Sequence, residues 1–147
     1  MRSFVVCLAA CVALSACDGS TSTGSTNVNL LELAQHEALW SQQGFHSYTY
    51  DYLNAGPLGA ANVHVTVQAD TIASLIDATT GMAPEFAVSV PTINGLFTIV
   101  HSVLGEKNMS VHLEFDSAFG YPTLVSASDN NPGGPFVAHV SNLHPVQ

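Results

Sequence analysis

From Phe4 to Ala16 the chain is an apolar run, with Ser15 its one polar residue, behind one arginine, Arg2. Beyond Asn29 the apolar residues come at regular spacings instead. Leu30, Leu33 and Trp40 fall on one side of a helix, with Leu31, Ala34 and Ala38 widening the stripe. Asn29 followed by Glu32 has the form of a capping pair, and Gly44 is a natural stop. The period then changes to two. Ser47 to Leu53 alternates with Tyr48, Tyr50 and Tyr52 on one face, and Asn62 to Gln68 with Val63, Val65 and Val67. Ala69-Asp70 is placed to close a hairpin into a third strand, Thr71 to Ala78. After a loop rich in Thr, Gly and Pro, Phe86, Val88 and Val90 predict a short extended piece. Thr92 then caps a second helix with the stripe Ile93, Leu96, Val100, Val103 and Leu104, and Gly105 stops it. Ser110 to Asp116, Thr123 to Ser128 and Pro135 to Leu143 read as three more strands.

The order is a helix and three strands, twice. Leu30 and Ile93, Leu33 and Leu96, Tyr48 and Val111, Tyr50 and Leu113, Tyr52 and Phe115 are all 63 residues apart. Identity across the halves is slight, so the repeat is one of architecture; accidental agreement of two helix–strand orders is the competing reading. The expected fold class is α+β: two helices on one face of a mainly antiparallel sheet of about six strands, arranged as a tandem helix–three-strand repeat.

The leading apolar run has the length of a secretory signal and is too short to span a bilayer. It ends in Leu14-Ser15-Ala16-Cys17, which resembles the bacterial lipobox. That resemblance implies diacylglyceryl transfer to the Cys17 sulfur and cleavage after Ala16; an ordinary secretory signal cut at the same place is the alternative. The expected layout is a signal over 1–16, a lipidated cysteine and flexible linker over 17–29, and one domain over 30–147. The linker reads Ser, Thr, Gly and Asn without an apolar stripe. The expected place is the bacterial cell envelope, anchored by palmitate-type chains on the periplasmic face of the inner or outer membrane.

Charge narrows the partners. Two Lys+Arg stand against 11 Asp+Glu, and Arg2 lies within the signal, so the domain keeps Lys107 alone. Binding to a phosphate backbone needs several cationic contacts, so no nucleic-acid partner is expected. Cys7 and Cys11 fall in the signal and Cys17 takes the lipid, which leaves the domain without disulfides or thiolate chemistry.

Trp40, Gly44, the Tyr48/Tyr50 strand, Thr92-Ile93-Asn94-Gly95-Leu96-Phe97, Glu114-Phe115-Asp116 and Phe119-Gly120-Tyr121-Pro122-Thr123 form an ordered set. As a set it resembles the bacterial domain of unknown function 6174 family, over about Leu30 to Pro145. The resemblance implies a secreted or lipid-anchored protein and brings no activity with it. Relatives carry cysteines after the first tyrosine strand; Asn54 to Ala61 has none, so no redox role carries over.

Candidate chemistry is sparse. There is no G-x-S-x-G, no H-E-x-x-H and no phosphate loop, so no catalytic residue and no cofactor is expected. The tyrosine stripe is either core or a stacking platform for a sugar or peptide. Asp116 to Pro122 is either a structural turn or a ligand-binding lip, with Asp116 or Tyr121 bonding turn backbone. His64, His112 and His139 each sit between apolar neighbours, which puts all three on the polar side of their strands. With Glu114 or Asp116 they form the one candidate set for zinc or copper. Imidazoles standing in for lysine on a solvated face are the competing reading. The expected function is a noncatalytic envelope lipoprotein binding a protein or peptide on its sheet. The alternative is a small hydrolase or metal-handling protein.

Overall fold

Side chains of one parity must leave water together, and that requirement organises the first two strands of the sheet. The computed structural model describes residues 30–55, 60–106, 109–128 and 136–146. The signal, Cys17, the linker and Lys107 lie outside the described residues. Helix α1 (Leu30–Gln43) precedes strands β1 (Tyr48–Ala55), β2 (Ala61–Gln68) and β3 (Thr71–Asp77). Helix α2 (Ile93–Gly105) precedes β4 (Ser110–Phe115), β5 (Pro122–Ser128) and β6 (Phe136–Pro145). The sheet order is β3-β2-β1-β6-β5-β4, and every neighbouring pair is antiparallel. The fold class is α+β.

Each triplet of strands is contiguous in the sheet, but β1 lies at its centre and β4 at its edge. Within its own triplet each strand holds the corresponding place, β3-β2-β1 and β6-β5-β4. Phe86, Val88 and Val90 belong to no strand; the two valines pack on the core and Phe86 stands exposed. Ala69 and Asp70 both have positive φ, 46° and 62°, the backbone of the two-residue turn that matches strand twist.

The tyrosine stripe is core. Tyr48, Tyr50 and Tyr52 are buried against Val63, Val65 and Val67 of β2 and Val140 of β6. Tyr48 meets both helices. Its ring stands edge-on to Trp40 of α1 at 5.4 Å, and its hydroxyl accepts from the Ile93 N–H at 3.1 Å. The Tyr50 hydroxyl donates to the Pro91 carbonyl. Trp40 Nε1–H donates to Asn94 Oδ1 at 2.8 Å and joins α1 to α2. Thr92 caps α2 by accepting from the Gly95 N–H at 3.1 Å. Gly105 is the last helical residue, and the chain becomes extended at Glu106.

The stripe on α1 is narrower than the apolar pattern implies. Leu33 and Trp40 are buried, whereas Leu30 and Leu31 remain 64% and 66% exposed. They sit in the first turn, ahead of the part of the helix that reaches the sheet. The turn between β4 and β5 docks on α1 instead. Asp116 Oδ1 accepts from the N–H groups of Ala118 and Phe119 at 2.9 and 2.7 Å. Gly120, at φ +86°, then approaches so closely that a Cβ there would lie 2.5 Å from the His36 carbonyl oxygen.

Gly120→Ala adds both a left-handed side chain and a backbone clash, so it should cost about 2–4 kcal/mol in urea unfolding; a change below about 0.5 kcal/mol would contradict the close approach. Burial raises all four tyrosines above their usual value of 10, with Tyr52 pushed up to about 12 and Tyr50 further. The neutral phenol is thus favoured by folding. This stabilisation is complete below pH 10 and is lost as pH rises through 10 toward each folded value. Tyrosinate absorbance at 295 nm should appear together with unfolding, not ahead of it.

Candidate functional site

The residues that alternate with the core form the other face of the strands. On β1 these are Thr49, Asp51 and Leu53; on β2, Asn62, His64 and Thr66; on β6, His139 and Ser141; on β4, His112 and Glu114. All are half-buried or exposed. Antiparallel register sorts them into rows across the sheet. One row runs Asn62, Leu53, His139, Leu124, Glu114 from β2 to β4. The next contains His64, Asp51 and Ser141. A third, on the far side of the first, contains Ala55, Val137, Ser126 and His112.

A groove of about 700 Å³ follows the first row and takes in Asp51, Ser141 and Asn142 beside it. Its floor carries Leu53, which is 48% exposed on a central strand. A leucine at the polar parity of β1 is a signal that the alternation of the strand already displays.

Asp51 is the best-defined polar group. Its Oδ1 lies 2.7 Å from His64 Nδ1, and its Oδ2 accepts from Asn142 Nδ2 at 2.7 Å. Asn142 reaches it because β6 shifts register opposite Thr49 and Asp51, and Asn142 takes a left-handed φ of 51° there. The Asn142 hydrogen bond chiefly holds the Asp51 carboxyl below its usual range, helped by His64 and by the nearby charge of His144, while partial burial opposes them. No spacing in the sequence announces this contact across 91 positions.

The three candidate histidines all lie on the polar parity of their strands, but the sheet does not bring them together. His64 is on β2, His139 on β6 and His112 on β4, in three different rows and each at least two strands from the next. Two strand spacings are about 9–10 Å, beyond a shared ion. His64 pairs with Asp51, and His112 Nε2 lies 3.3 Å from Glu114 on its own strand. Among the described residues no group of three or more His, Cys, Asp or Glu is placed to hold a metal. Asp116, the other proposed ligand, is occupied with the backbone of its turn. Tyr121 of the same turn reaches the groove wall while its ring packs against Trp40.

An antiparallel six-stranded sheet with two helices and an open acidic groove defines a small α+β domain. The chain belongs to a family of unknown function (DUF6174), whose model matches residues 32–132. No curated protein and no solved structure matches it.

The Asp51 contact yields a third prediction. A depressed carboxyl pKa stabilises the fold above the unfolded value of 3.8, and that contribution fades as pH falls through the folded value. Asn142→Gly keeps the left-handed backbone and removes the donor. In the variant, the Asp51 carboxyl should titrate at higher pH than in the parent, read from its carbon-13 resonance. Identical titrations would mean that Asn142 does not hold the carboxylate.

Proposed function

We propose that this chain is a lipid-anchored protein of the bacterial cell envelope, held by acyl chains on Cys17, whose domain is a noncatalytic binding module for a protein or peptide. The observation that carries the binding half is the groove over Leu53, an apolar floor in the middle of a polar sheet face. Leu53, with the half-buried Leu124 in the same row two strands away, leaves apolar surface that a partner would cover. In this reading both helices cover the other face, because Trp40 of α1 and Ile93 of α2 both meet Tyr48. The anchoring half rests on Leu14-Ser15-Ala16-Cys17 and the polar linker after it. Among the described residues no helix is long and apolar enough to cross a membrane, and two or more acyl chains on one cysteine would give durable attachment.

The hydrolase reading has the Asp51–His64 pair in its favour. A nucleophile must come within hydrogen-bond reach of the imidazole. Ser141 is instead paired across from Asp51 on the side away from His64, about 9–10 Å from it at normal strand spacing. That arrangement favours binding over acyl transfer.

Expression with radiolabelled palmitate tests the anchor. The parent chain should carry label and sediment with membranes, and Cys17→Ser should lose both. Label retained in Cys17→Ser would remove lipid anchoring from this reading.

A further inference from the structure

We propose that the groove receives an extended, basic peptide segment of a partner protein, laid across the strands with an apolar side chain over Leu53 and cationic side chains on Asp51 and Glu114. This rests on the binding-module reading and narrows it to one kind of partner.

Charge argues first. The groove is lined by the carboxylates of Asp51 and Glu114, and the described residues contain no Lys or Arg. The whole chain has a formal net charge of −9. Such a surface repels anionic partners and steers cationic ones. Each Asp51 oxygen makes one hydrogen bond, to His64 or to Asn142, so both keep acceptor capacity for a further donor. Glu114 has its side chain 59% exposed, with His112 Nε2 3.3 Å from one carboxylate oxygen.

Shape argues second. Sites for small molecules enclose most of the ligand, whereas this groove lies open along a sheet and crosses its strands. It suits a chain lying on it. From Asp51 on β1 to Glu114 on β4 there are three strand spacings, about 14 Å, with a one-row offset of about 7 Å along the strands, or roughly 16 Å in all. Four residues of extended peptide span about 13 Å, and side chains at i, i+2 and i+4 share one face. A lysine side chain covers the remainder. The recognised pattern is therefore basic-x-apolar-x-basic, with the central apolar group beside His139 and toward Leu53, its neighbour in the row.

The test uses the full chain in nonionic detergent and fluorescein-labelled peptides read by anisotropy. The probe is Ser-Lys-Thr-Val-Thr-Lys-Ser. Its comparators are the same composition with adjacent lysines, and versions with serine or glutamate replacing both lysines. The spaced-lysine peptide should bind at least about fivefold more tightly than the adjacent-lysine one, a difference of about 1 kcal/mol. Asp51→Asn and Glu114→Gln should each weaken it about threefold or more, and Leu53→Asp should weaken it despite adding an acid. Glu32→Gln, in the first turn of α1, should leave binding unchanged. Equal affinity for both lysine arrangements, or equal loss in Glu32→Gln, would show attraction by bulk charge and overturn the proposal. Tighter binding of the serine or glutamate peptide, lost in Leu53→Asp, would overturn the basic partner and leave the binding module standing. Absence of binding by all four peptides at about 1 mM would remove both.

Discussion

Two buried phenols set the geometry of this domain. Tyr48 and Tyr50 lie fully inside the core on the central strand β1, and a buried hydroxyl without a partner is costly, about 1–3 kcal/mol. Both find their partners in the same place, the entry into α2: Tyr48 at the Ile93 N–H and Tyr50 at the Pro91 carbonyl. The first of these groups is one of the orphan donors of a helix N-terminus, and Thr92 satisfies another. The start of α2 is thus fixed on β1 before apolar packing is considered. Asn94, one residue into that helix, then takes the Trp40 indole and fixes α1 in turn. One strand, one helix start and one indole place three elements. The turn at Gly120 closes the arrangement by resting on the α1 backbone with no room for a side chain.

The surface of the domain follows a different chemistry. A chain with almost no Lys or Arg has only imidazoles to answer its carboxylates, and the contacts show that choice. His46 meets Asp70, His64 meets Asp51, His101 meets Glu37 and His112 meets Glu114. Most of these side chains are largely exposed, so each pair contributes little to stability. Their consequence is positional. His101 and Glu37, 2.5 Å apart, bridge the two helices, and His46 with Asp70 joins the start of β1 to the β2–β3 turn. The histidines that sequence spacing offered as metal ligands are used singly, each beside its own acid or in its own row.

Much of the fold was legible because it rests on local periodicity. The alternation of Tyr48, Tyr50 and Tyr52, the valines of β2 and the cap at Thr92 mark elements whose observed bounds lie within a residue or two of those expected. The DxxxGYP turn was legible for the same reason, since Asp116 bonds backbone within its own loop. Contacts that depend on strand order were not. Nothing in the spacing of His64, His112 and His139 shows that β4 lies at one edge while β6 lies beside β1. The exposed Leu30 and Leu31 show the limit of a helical stripe: periodicity names the face, but the length of helix that reaches the sheet is a tertiary quantity. Asn142 is the clearest case. Its role comes from a register shift and a left-handed φ, neither of which its neighbours in sequence encode.

These two sides meet at Asp51. Its backbone belongs to the strand that Tyr48 and Tyr50 lock from below, and its carboxylate is held from both sides by Asn142 and His64. A group so placed has little conformational freedom left to lose when a partner arrives, which is the main saving that preorganisation offers in binding. Leu53, two residues on and on the same face, shares that fixed backbone, and its half-exposed surface is apolar area that any close partner would take out of water. The core side thus accounts for the rigidity of the outer side. The outer side combines a fixed charge with an uncovered apolar floor, an arrangement suited to holding a partner without changing its chemistry.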